Sequence, residues 1–109
     1  MKIYNDIMNH FGIRKQMKKI NEEVYELLEA IDNYEDFPVV NLDKDAVKDL
    51  SDDEVLDVLR ANIVEELGDT LILLTQIIAR YNIGKQELDT IMDYKLERTI
   101  NRIKSDYYG

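Results

Sequence analysis

The sequence contains no cysteine, one proline and only four glycines, and each scarcity excludes a class of structure. Without cysteine the chain forms neither disulfides nor thiolate metal sites, which favours the reducing cytoplasm as its compartment. So little proline and glycine leaves few residues for the tight turns of a β-sheet. The periodic segments repeat near 3.6 residues instead, and the sequence therefore predicts an all-α fold.

Positive charge and long apolar runs are scarce as well. Asp and Glu outnumber Lys and Arg by 23 to 14, and this excess argues against binding to a nucleic-acid backbone. No stretch reaches the ~18 consecutive apolar residues of a membrane span, and residues 1–10 lack the apolar segment of a secretory signal. We expect a cytoplasmic protein without membrane association, forming a single domain over residues 1–109.

Hydrophobic periodicity predicts four helices, over residues 1–11, about 13–31, 51–81 and about 85–105, with residues 106–109 frayed. Gly12 and Gly84 lie at expected helix ends, where glycine is common. Ser51 and Glu54 match a capping box, which marks the start of the third helix. The segment 32–50 around Pro38 is predicted to be a loop with a turn of helix near residues 43–49.

The segment Ile63–Tyr81 is apolar on most of its circumference, and we expect it to be the buried central helix. Three neighbouring helices of so short a chain would not cover all of this surface. The sequence therefore predicts a homodimer or homotetramer that completes the helical bundle.

Glu66 and Asp69 interrupt this apolar helix. At about 100° per residue, Glu66 falls between Leu73 and Ile77, and Asp69 falls between Ile72 and Leu73. An ionised carboxylate without a partner among such residues costs several kcal/mol, so it must be protonated, paired with a cation or bound to a metal.

The second helix carries a further acidic group, Glu22, Glu23 and Glu26, whose members share a face at three- and four-residue spacing. Taken alone, this pattern is typical of a solvated helix face. The same helix has an apolar stripe through Met17, Val24 and Leu28. If this stripe packs on the central helix, Glu23 and Glu26 face Glu66 and Asp69. Four carboxylates in one small volume repel each other unless cations neutralise them, and an all-oxygen site favours Mg²⁺, or Mn²⁺, over Zn²⁺.

Lys95, Arg98 and Arg102 follow one flank of the last helix. Basic residues near a helix C-terminus commonly balance the helix dipole. Beside a metal–carboxylate site, the same residues could bind the phosphate oxygens of a substrate.

Two motifs resemble the MazG-like, all-α nucleoside triphosphate pyrophosphohydrolases: Glu22-Glu23-Val24-Tyr25-Glu26 for the pattern E-E-x-x-E, and Glu66-Leu67-Gly68-Asp69 for E-x-x-D. The resemblance implies a MazG-like helical bundle. It also implies Mg²⁺-dependent hydrolysis of a nucleoside triphosphate to monophosphate and pyrophosphate.

The resemblance further implies metal ligands at Glu23, Glu26, Glu66 and Asp69, with Lys95, Arg98 and Arg102 as phosphate-binding residues. Glu22 is the expected catalytic carboxylate that orients or deprotonates water, and Glu23 is the alternative. Two other functions stay open: an acidic helical protein that binds a basic partner, and a divalent-metal-binding protein without catalysis. The base and sugar of the nucleotide are not predicted.

Overall fold

The computed structural model describes residues 1–38 and 47–108, and in this part of the chain four helices and no strands are present. The helices are α1 (Lys2–Phe11), α2 (Ile13–Glu35), α3 (Asp52–Arg80) and α4 (Lys85–Tyr108). The all-α prediction is therefore confirmed. None of these helices combines the length and apolar character needed to cross a bilayer.

A single residue, Gly12, joins α1 to α2. Its φ of 86° lies in the left-handed region that glycine adopts at little cost, and its amide donates to the Met8 carbonyl oxygen at 2.8 Å. This geometry ends α1 as predicted and allows α2 to begin at the next residue. The chain thus passes from α1 to α2 through one residue, without a longer loop.

The predicted capping box begins α3. The Ser51 hydroxyl oxygen accepts a hydrogen bond from the Glu54 amide, and the Glu54 carboxylate accepts one from the Ser51 amide, both at 3.2 Å. Acidic residues at 52, 53 and 54 also favour the positive end of the helix dipole. From this start α3 continues unbroken to Arg80.

Two predicted boundaries are wrong. Helix α2 continues past Ile31 to Glu35, because no glycine or proline lies between Ile31 and Pro38. Helix α4 continues to Tyr108 rather than fraying from residue 106. The turn of helix expected near 43–49 lies mostly outside the described residues. Of that segment the structure describes residues 47–49, and the amide of Leu50 donates to the carbonyl of Val47 at 3.0 Å.

Helices α1, α2 and α3 pack together, with α2 against α3 as the main interface. The order of contacts shows that α2 and α3 are antiparallel, because Gln16 meets Gln76 while Glu23 lies near Glu66. The buried apolar residues are few: Met8, Ala30, Val55, Leu59 and Leu73. Helix α4 makes no extensive contact with the other three, and the outline is flat, 51 × 49 × 20 Å.

The two apolar stripes predicted to form the core are largely exposed, which contradicts the prediction of a buried central helix. On α2 the exposed members are Met17, Val24 and Leu28, and on α3 they are Val64, Leu67, Leu71, Ile72 and Leu74. The reason is that α3 has neighbours from its own chain on one face only. The residues of α2 that face α3 are instead Gln16, Glu23 and Ala30, spaced seven apart.

A polar contact lies inside the α2–α3 interface. The Gln16 side-chain amide donates to the Gln76 side-chain oxygen at 2.8 Å, and both residues are buried. A hydrogen bond sequestered in this way fixes the register of the two helices, because sliding either helix would leave two buried amides without partners.

We expect Gln76→Ala to lower the free energy of unfolding by about 1–3 kcal/mol, because it leaves the buried Gln16 amide unsatisfied. The double variant Gln16→Leu with Gln76→Leu removes both polar groups and should cost much less than the single change. Urea unfolding followed by circular dichroism measures both, and Gln86→Leu on exposed α4 is the control. A double variant that is less stable than Gln76→Ala would contradict this reason, because the pair would then stabilise the fold by more than satisfying each other's hydrogen-bonding groups.

Candidate metal centre

The α2–α3 interface brings three carboxylates together about two turns of α2 away from the Gln16–Gln76 contact. Glu23, Glu26 and Glu66 each offer one oxygen, and these three oxygens lie within 4.8 Å of one another. Glu23 and Glu26 share a face because they are three residues apart on α2, and Glu66 reaches them from antiparallel α3. We call these three residues the carboxylate cluster.

The cluster spans the boundary between interior and surface. The Glu23 side chain is 7% exposed, Glu66 is half-buried and Glu26 is exposed. The second carboxylate oxygens, Oε2, of Glu23 and Glu66 are buried and have no hydrogen-bond partner in the described part of the chain. Buried acceptors normally have a partner, so these two oxygens are suited to contact a bound cation or a hydrogen-bond donor.

The charge balance of the cluster also favours a cation. Desolvation of the Glu66 carboxyl, the charge of Glu26 and a hydrogen bond to it, and the charges of Glu23 and Asp69 together raise the pKa of Glu66 from 4.5 to about 7. Lys19 Nζ lies 3.1 Å from Glu23 Oε1, and this contact raises the pKa of Lys19. One exposed lysine therefore offsets part of the negative charge of three carboxylates.

This donor set fits a hard divalent cation. Oxygen ligands from carboxylates suit Mg²⁺ and Mn²⁺, whereas no thiolate or imidazole is present in the cluster to favour a softer metal. Glu23, Glu26 and Glu66 would hold the ion, and the exposed side of Glu26 would leave coordination positions open to a ligand from solution.

Asp69 lies outside the carboxylate cluster and is exposed. Of the two apolar residues expected beside its carboxylate, Ile72 is 47% exposed whereas Leu73 is buried, so only one of them is shielded from solvent. Next to Asp69, no described atom outside the helix itself lies within 4 Å of where a Cβ on Gly68 would be. Asp69 nevertheless lines a cleft together with Glu22 and Glu23.

This cleft, which we call the α2 cleft, has a volume of about 970 Å³. Its lining combines acidic, basic and apolar side chains from the end of α1, the first half of α2 and the middle of α3: Phe11, Arg14, Lys15, Gln16, Lys18, Lys19, Glu22, Glu23, Asp69, Ile72 and Leu73. A charged ligand could thus contact carboxylates and cations in the same opening.

The basic residues predicted on the last helix are not near this opening. Lys95, Arg98 and Arg102 are exposed on α4, which does not pack along the helices that carry the carboxylates. The Arg98 guanidinium instead lies 6.0 Å from the centre of the Tyr94 ring. Within one chain the structure does not bring these three residues to the carboxylate cluster.

The sequence analysis missed the basic residues at positions 14, 15, 18 and 19. Their signal is visible in the sequence, since they precede Glu22 on one uninterrupted helix at three- and four-residue steps. It also missed the buried Gln16–Gln76 pair, because a single glutamine on each of two helices gives no pattern.

We expect the metal-free protein to become less stable as pH rises from about 4.5 to about 7 through the contribution of Glu66. The folded state keeps the Glu66 proton to a higher pH than the unfolded chain does. The stabilisation is therefore fully present below the unfolded pKa of 4.5 and is lost as pH rises through the folded pKa of about 7. Glu66→Gln should remove this component and stabilise the chelator-treated protein more at high pH than at low pH.

Millimolar Mg²⁺ should raise the melting temperature of the unmodified protein and have little effect on Glu66→Gln. Thermal melts in chelator and in Mg²⁺, at two pH values on either side of this range, measure both effects. Glu65→Gln, at the exposed neighbouring position, is the matched control. Equal melting temperatures with Mg²⁺ and with chelator would contradict a metal-binding cluster.

The family of the chain follows from a match that includes both acidic motifs. A family model described as the MazG nucleotide pyrophosphohydrolase domain matches residues 11–105. No curated protein and no solved structure matches the chain significantly. The matched region contains the carboxylate cluster, Asp69, all of α2 and α3 and most of α4. The chain belongs to the MazG nucleotide pyrophosphohydrolase domain family.

Proposed function

We propose that the protein is a Mg²⁺-dependent hydrolase that converts a nucleoside triphosphate to its monophosphate and pyrophosphate. The observation that carries this proposal is the carboxylate cluster, in which two buried oxygens lack partners among the described residues and one member, Glu23, also lines the α2 cleft. Membership of the MazG family supports a nucleotide as the substrate class. The cleft is also large enough for a ligand of this size, since small-molecule sites commonly measure about 300–1,000 Å³.

In this proposal Glu23, Glu26 and Glu66 hold the metal, and Asp69 completes the ligand set from the cleft wall. A bound divalent cation neutralises phosphate oxygens and lowers the pKa of a coordinated water. Asp69 is one helical turn from Glu66 on α3, so a modest side-chain rearrangement would carry its carboxylate toward the same opening.

Glu22 is the proposed catalytic base, with Glu23 as the alternative. Glu22 lines the cleft, is exposed and is not a member of the carboxylate cluster, so its oxygens are free to accept a proton. The water oxygen forms a bond to the α-phosphorus, its proton passes to the carboxylate, and the bond to the bridging oxygen breaks to release pyrophosphate. Glu23 is less suited because Lys19 contacts it and one oxygen is committed to the cluster.

The test of this function is release of pyrophosphate from a panel of common and modified nucleoside triphosphates. We expect release from at least one substrate with Mg²⁺, and none with chelator. Turnover that ignores Mg²⁺ would contradict the mechanism. Absence of turnover would favour one of two other functions, an acidic helical interaction protein or a metal-binding protein, and Mg²⁺-dependent melting would separate them.

Asp69→Asn should lower turnover by roughly tenfold or more, since even loss of an outer-shell partner of a metal costs about 10- to 100-fold. It should also reduce the stabilisation by Mg²⁺ while leaving the fold in chelator at least as stable, because a negative charge beside the cluster is removed. Glu29→Gln, exposed on α2 beyond the cluster, is the control and should change neither property. Unchanged pyrophosphate release in Asp69→Asn would remove Asp69 from the proposed ligands.

We also propose that the protein is a homodimer or a homotetramer. The exposed apolar residues of α3 include Val64, Leu67, Leu71 and Leu74, and α4 exposes Ile91, Met92, Leu96, Ile100 and Ile103. Isolated amphipathic helices gain most of their stability from packing of the apolar face, so α4 needs a partner that α1–α3 do not provide. A second copy could also bring Lys95, Arg98 and Arg102 toward a carboxylate cluster, which remains their proposed role in binding phosphate.

Light scattering should therefore give at least twice the mass of the chain at micromolar concentration. Leu71→Glu places a charge within the exposed stripe of α3 and should shift the protein toward monomer with loss of α4 helicity. Glu97→Gln on α4 is the control for a change at an exposed polar position. A stable monomer with full helical content would contradict the proposal.

A further inference from the structure

The first turns of α2 carry a concentration of positive charge that is unusual in this chain. The formal net charge is −9, yet four of the six residues from Arg14 to Lys19 are basic. The α2 cleft, which is lined by the four basic residues of this run, also contains Glu22, Glu23 and Asp69. The charge distribution along α2 therefore changes from cationic to anionic within a single opening.

Most of this positive charge is not used to balance the neighbouring carboxylates. Lys19 contacts Glu23 at 3.1 Å. Arg14, Lys15 and Lys18 form no ion pair within the described ranges, although Glu22 is one turn beyond Lys18. Lys15 Nζ instead lies 5.2 Å from the centre of the Phe11 ring, on the wall of the cleft. Three cations thus face the cleft with their charges unpaired.

These cations also stand at the unfavourable end of the helix. Helix α2 has no acidic residue in its first turn, no basic residue in its last turn and no side-chain cap at its start. Positive side chains near a helix N-terminus are repelled by the dipole, and neighbouring like charges repel each other. Burial does not compensate for this repulsion, since Arg14, Lys15 and Lys18 are exposed, and only Lys15 has an aromatic ring beside its charge. An arrangement that opposes helix stability and aims charge into a cleft is typical of ligand binding.

We propose that Arg14, Lys15 and Lys18 form the subsite for the phosphates of the leaving group. The proposal rests on the proposed function, because the carboxylate cluster defines where the reacting phosphate lies. At 1.5 Å per residue, Lys18 and Lys15 lie roughly 7.5 and 12 Å along the helix axis from Glu23, the member of the carboxylate cluster that lines the cleft. An extended polyphosphate could therefore reach from the cluster to these cations. The partnerless Oε2 of buried Glu23 points to a ligand at the metal end of the same cleft.

This assignment differs from a role for Lys95, Arg98 and Arg102 in being complete within one chain. Lysine and arginine donate charge-assisted hydrogen bonds to phosphate oxygens, and such bonds are the strong ones. The subsite would favour triphosphates over monophosphates, because only the former extend beyond the metal. The same selectivity would allow the monophosphate product to leave.

The test measures binding as well as turnover. Calorimetry with Mg²⁺ and inorganic tripolyphosphate compares the unmodified protein with Lys15→Gln/Lys18→Gln, for which we expect affinity to fall by roughly tenfold or more. Affinity for a nucleoside monophosphate should change much less. Lys15→Arg/Lys18→Arg keeps both charges and should bind tripolyphosphate nearly as well as the unmodified protein. Lys2→Gln/Lys104→Gln removes the same charge from exposed positions outside the cleft and controls for net charge.

The outcomes separate the subsite from the enzyme. Equal tripolyphosphate affinity in the unmodified protein and in Lys15→Gln/Lys18→Gln would overturn the subsite, as would an equal loss in Lys2→Gln/Lys104→Gln. Pyrophosphate release by the unmodified protein would leave the enzymatic function standing in either case. If the glutamine pair reduces helicity, the single variant Lys18→Gln replaces it, with an expected loss in the same direction.

Discussion

Antiparallel packing of α2 on α3 is the contact on which the other features of this protein depend. It buries the Gln16–Gln76 hydrogen bond and, a few turns away, places Glu23 beside Glu66. The hydrogen bond sets the register because either amide alone would be costly to bury. The charge of these carboxylates is relieved in part at the edge of the interface, where Lys19 contacts Glu23 and Glu26 is exposed. The same interface thus holds a contact that fixes the fold and the candidate metal centre.

The electrostatics of the α2–α3 interface set the stability of the metal-free fold against the proposed binding of a metal. Packing that desolvates Glu66 raises its pKa to about 7, so the metal-free fold favours a protonated carboxyl where a metal site needs an ionised one. A divalent cation would reverse that preference by placing positive charge beside the carboxylates. The cationic first turns of α2 show a similar conflict, because they oppose the helix dipole while facing the cleft.

The apolar surface of α3 and α4 is exposed because the other helices of the chain do not cover it. The single chain has too few residues to cover both faces of a 29-residue helix, and α1 and α2 occupy one face only. Assembly with a second copy would bury the other face and support α4, so the tertiary and quaternary structures of this chain are closely linked in our proposal.

The sequence by itself determined the helices, because their period, the Ser51–Glu54 capping box and the glycine at position 12 are local features that act over a few residues. The sequence also indicated that Glu23, Glu26 and Glu66 could lie together, since each acidic motif keeps its carboxylates on one face of its helix.

The sequence did not determine which face of α2 packs on α3. The stripe through Met17, Val24 and Leu28 looked like a core surface, yet α3 packs instead against Gln16, Glu23 and Ala30. Only the tertiary structure placed Asp69 outside the cluster and Arg14, Lys15 and Lys18 in the cleft, because rotation of a helix about its axis is decided by its neighbours and leaves hydrophobic periodicity unchanged.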